Sequence, residues 1–66
     1  MCEANAYIID TVESEPRLIM ESVDTVEPEE DGLRLVNIFG DQKFVKARVE
    51  SLSLVDHKVF LKPLDT

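Results

Sequence analysis

In this 66-residue chain the residue types with most scope for chemistry are one cysteine, Cys2, and one histidine, His57. A lone cysteine ordinarily behaves as a small buried hydrophobe. At position 2, however, its thiolate lies beside the terminal amine and the first backbone amides. The sulfur and backbone nitrogen of Cys2 close a five-membered chelate ring on a metal ion, and the amine of Met1, where that residue is kept, closes a second. Thiolate and nitrogen in this arrangement suit a planar four-coordinate ion, Ni(II) or Cu(II), over Mg(II) or Ca(II). One chain cannot complete such a donor set from one cysteine. Two chains related by a two-fold axis can, giving two sulfurs and two nitrogens from an isologous contact.

Other constellations are weaker. His57 stands between Asp56 and Lys58 in an expected turn; its plain reading is a turn residue, its sharper one a metal ligand or general base. A nucleophilic pair of Cys2 with His57 is a matter of spatial proximity. Nothing supports it, since no orienting Asn or Asp is identifiable and no glycine-rich segment offers an oxyanion hole. Two glycines also exclude phosphate loops of the GxGxxG or GxxxxGK type. No catalytic residues are therefore assigned. Glu27, Glu29, Asp31 and Gly32 imitate the start of a calcium loop, but the bidentate Glu required at position 12 falls on Ile38. An acidic hairpin turn accounts for them better. Tyr7, Phe39, Phe44 and Phe60 with Lys43, Lys46 and Arg48 could make a stacking platform for RNA. The aromatics are more simply expected as the bulky core, and the cations as the wet side of a strand.

Charge narrows the partners. Fourteen acids against seven bases give −7, which opposes binding to nucleic acid or an anionic membrane. Residues 1–31 carry ten acids and one base, residues 32–66 four acids and six bases; the simplest reading is an unevenly decorated, solvated surface. The longest strictly apolar run, Ala6-Tyr7-Ile8-Ile9, is far short of the ~20 residues of a membrane span. Glu3 stands where a secretory signal would carry bases, so the expected location is cytoplasmic.

The elements that must position these residues read as strands. Apolar alternation marks Cys2–Ile9, then Arg17–Glu21, with a bend between Val23 and Val26. Pro28 and Gly32 punctuate an acidic turn, and Leu33–Phe39 is β-branched and aromatic. Gly40-Asp41 matches a tight hairpin, because glycine supplies the positive φ such turns need. A long return strand is expected over Lys43–Leu54, its apolar phase flipping after Glu50 as a bulge requires. Asp56-His57 turns into a last strand, Val59–Lys62, ended by Pro63. No window shows a helical stripe. The expectation is one mostly β domain spanning residues 1–66, a small, sharply bent antiparallel sheet of about five strands closing into an SH3-like barrel.

Met1-Cys2-Glu3-Ala4-Asn5, the run Asp31–Lys43 (DGLRLVNIFGDQK) and Val55-Asp56-His57 resemble the CooT-like family of small nickel-binding proteins. The resemblance covers nearly the whole chain. It implies an SH3-like β-barrel, a homodimer, and one Ni(II) per dimer held through the cysteine at position 2, which is Cys2 here. It also implies a recipient nickel enzyme, carbon monoxide dehydrogenase, or its maturation machinery. No further ligand carries over. The expected function is thus a dimeric carrier or reservoir of Ni(II), bound by Cys2 with the Met1 amine or the Cys2 backbone nitrogen. A small RNA-binding β-barrel is the rival.

Overall fold

A computed structural model describes residues 3–10 and 15–64. Its strands are β1 (Ala4–Ile8), β2 (Arg17–Glu29), β3 (Gly32–Asn37), β4 (Gln42–Val45), β5 (Ala47–Ser53) and β6 (Lys58–Pro63). They form one sheet in the order β4-β3-β2-β1-β6-β5. Most neighbours are antiparallel, but β1 and β6 run parallel, with Asn5 opposite Lys58 and Ile8 opposite Leu61. Among the described residues there are no helices, hence none long and apolar enough to cross a membrane.

The mostly β expectation holds, with three corrections. There are six strands instead of about five, and the sheet is mixed. The expected return strand is two strands, β4 and β5, parted at Lys46 and lying at opposite edges of the sheet. No ladder joins β4 to β5 among the described residues, so the sheet remains open and does not close into a barrel. The alternation of Val45, Ala47 and Val49 hid this break, because a strand that changes direction at one residue can keep its side-chain phase. With Lys46 alone between the two edge strands, the sheet must curl until its edges approach at one corner. The amide of Leu64 donates to the Lys46 carbonyl there at 3.1 Å. Gly32 makes room: a Cβ on it would collide with the Val45 carbonyl oxygen and stand 3.0 Å from the Lys46 Cα.

Strand β2 runs through the expected acidic turn, leaving only Glu30 and Asp31 outside the ladder. Pro28 is tolerated in it because β1 pairs with β2 only as far as Val23, so Pro28 lies on an edge. The expected bend appears as a register shift between Val23 and Thr25 and a left-handed Ser22, φ 57°. Both sides of that kink are tied: the Ser22 amide donates to Asn5 Oδ1 at 3.2 Å, and its carbonyl accepts from Ile38 N at 2.9 Å. The phase flip after Glu50 is a bulge between Val49 and Ser51.

One face of the curled sheet buries Ala6, Val23, Leu33, Leu35, Ala47, Val59 and Leu61. Against expectation, none of the four aromatics is in this core. Phe39 and Phe44 are exposed, while Tyr7 and Phe60, opposite one another in the β1–β6 ladder, stack on the outer face with ring centroids 5.6 Å apart. Curling leaves too little room inside for rings, and small aliphatic side chains fill it.

Candidate metal centre

Parallel pairing of β1 with β6 sets the geometry of the chain's chemically capable end. Parallel neighbours begin at the same end of the sheet, so the start of β1 lies beside the turn that precedes β6. That turn occupies Leu54–His57. Its first residues are steadied by Ser53, whose hydroxyl accepts from the Asp56 amide at 3.2 Å. His57 has φ 57°, the left-handed region that His, Asn and Asp enter more readily than most residues. Its carbonyl accepts from the Asn5 amide at 2.9 Å, which fastens the turn to the strand that follows Cys2.

Two depressions meet at this end. One, about 190 Å³, is lined by Ala4, Val23, Leu52 and Leu54 with Glu3 and His57 at its rim. The other, about 460 Å³, is polar and lined by Glu3, Asn5, Asp56 and His57. Met1 and Cys2, the expected metal-binding pair, lie outside the described residues. Covalent geometry nevertheless sets the Cys2 Cα one peptide, ~3.8 Å, from that of Glu3. Among the described residues no group of three or more His, Cys, Asp or Glu is placed to hold a metal ion. Donors present at this end, an imidazole and carboxylates, fit a transition ion only as additions to a thiolate supplied by Cys2.

The other constellations are dispersed. Phe44 on β4 is three strand spacings, ~14 Å, from Tyr7 on β1, so these rings do not share one platform. Arg34 faces Glu27 and Glu29. The hydrogen bond to Glu27, then the charges of Glu27 and Glu29, hold its guanidinium above the ordinary arginine value. Lys43 donates to the Ile19 carbonyl at 3.1 Å, and Arg48 lies 3.7 Å from Glu50. The cations named for an RNA face are thus partly engaged within the chain.

A family model for CooT, described as a CO dehydrogenase accessory protein, matches residues 1–62. The chain belongs to the CooT family. Its fold agrees with a crystal structure described as a CooT from Carboxydothermus hydrogenoformans. The TM-score is 0.87 at 44% identity, over 97% of this chain and 100% of that one. A comparison with curated proteins finds no match. CooT membership makes a CO dehydrogenase accessory role the frame for the chemistry at the β1 end, and the matched span takes in both Cys2 and His57. What sequence reasoning missed is that His57 and the chain start share one end of the sheet. The signal for it lay in pairing β1 with β6, which strand patterns alone do not reveal.

Proposed function

We propose that this chain is a non-catalytic nickel-binding protein that carries or stores Ni(II) for the maturation of carbon monoxide dehydrogenase. The supporting observation is a CooT-family match that includes Cys2, on a fold whose first strand starts at an exposed sheet end. Cys2 supplies thiolate, and the Met1 amine or Cys2 amide supplies nitrogen. A second copy of the chain completes the donor set with its own Cys2. Apolar surface suited to that contact lies at the same end: Leu54 is 77% and Val55 88% exposed, next to Leu52 at 58%. After the bulge at Glu50, Leu52 points to the core side of β5, so these residues extend the core face out into solvent. An ion held at such a rim is open to attack by an incoming ligand, so it can be passed on without unfolding the sheet.

The test is a titration with Ni(II) followed by native mass spectrometry. One ion per two chains is expected for the wild type and none for Cys2→Ser. Equal uptake by the two proteins would remove Cys2 from the account.

A further inference from the structure

We infer that His57 is a second side-chain ligand for the ion bound through Cys2; this rests on the function proposed above. Four observations lead to it. First, the parallel β1–β6 register sets Asn5 opposite Lys58, and the Asn5 amide holds the His57 carbonyl at 2.9 Å. The histidine and the segment carrying Cys2 are therefore fixed to one another through backbone and do not meet by chance of loop motion. Second, Glu3, the residue that follows Cys2, shares both end depressions with His57.

Third, the turn does not itself explain a histidine. Its left-handed φ of 57° is met as well by Asn or Asp and more cheaply by Gly, and of these only His brings an imidazole nitrogen. The ring is exposed at the mouth of the polar depression. Fourth, the donor chemistry is matched. Imidazole suits Ni(II), whereas the carboxylates of Glu3 and Asp56 suit harder ions, and with His57 they make no three-residue group able to hold a metal. Neutral imidazole also binds without giving up a proton, which a backbone amide must lose. Two chains, each offering Cys2 sulfur and His57 nitrogen, then provide four donors to one ion.

The experiment compares the full-length wild type, His57→Asn and Cys2→Ser, each titrated with nickel chloride. Affinity, the sulfur-to-nickel absorption band and the histidine ring NMR signals are followed together. Asparagine keeps a residue at ease with the left-handed backbone. Wild-type ring signals should shift or broaden up to one ion per two chains. His57→Asn should keep a sulfur-to-nickel band at an altered wavelength and bind about 10–100-fold more weakly or worse, a loss that even outer-shell partners can cause. Ring signals unmoved by nickel, with His57→Asn binding as tightly as the wild type, would overturn the inference and leave Cys2 standing. Undiminished binding by Cys2→Ser would instead overturn the proposed function, and the inference with it. Should His57→Asn melt early, the wild-type ring signals decide alone.

Discussion

Asn37 shows how much one side chain does in a domain this small. It is the one buried polar residue among those described. Its Oδ1 accepts from the amides of Phe39 and Asp41, both at 2.9 Å, and closes the loop over which Gly40 takes φ 89°. Asn37→Ala leaves those two donors without the acceptor and should cost about 1–3 kcal/mol, read from urea unfolding. Unchanged stability would show that water serves as well. At Cys2 the expectation concerns protons. Nickel competes with a proton for the sulfur, so apparent affinity should rise with pH and level off above the thiol's titration. Competition titrations across the range from about pH 6 to pH 9, spanning the ordinary thiol value of ~8.5, would trace it. A flat profile would mean that sulfur is not a ligand.

Among the elements, Gly32 decides the shape. It is the point where β3 passes the β4–β5 corner, and any side chain there meets backbone that has no room to move. Gly32→Val should therefore destabilise by about 1–3 kcal/mol or more, the usual cost of overpacking; a melt unaltered by the change would place the corner elsewhere. The same corner marks where the sequence ceased to be legible. Strand-forming composition, the bend near Val23, the bulge after Glu50 and positive φ at Gly40 each have local causes and could be read from local pattern. Division of residues 43–54 into two edge strands, and the parallel pairing of β1 with β6, arise from contacts distant in sequence. Local alternation is blind to both. Burial of the aromatics was misjudged for a related reason: it depends on how tightly the sheet curls. At the candidate site, Cys2 was recognisable from its position in the chain, whereas the nearness of His57 required the ladder.

For the whole molecule, a core of seven mostly small residues leaves little stability in reserve. Leu35 and Leu61 are its largest fully buried side chains. Leu35→Ala should cost about 2–5 kcal/mol, comparable to the ~3–5 kcal/mol that one core of this size supplies. That variant should be largely unfolded by circular dichroism at room temperature, and a native spectrum with an ordinary melt would show the core to be less decisive. If a second copy covers Leu52, Leu54 and Val55, pairing adds to this stability and the melting temperature should rise with concentration. Leu54→Asp should then sediment as a monomer and lose the stoichiometry of one ion per two chains. A variant that still dimerises would locate the contact on another face.

The central claim, that sulfur from two chains holds one nickel ion, is tested most directly by X-ray absorption at the nickel edge on the loaded protein. The account predicts two sulfur scatterers per nickel in the wild type and none in Cys2→Ser. A shell of oxygen and nitrogen alone in the wild type would contradict it.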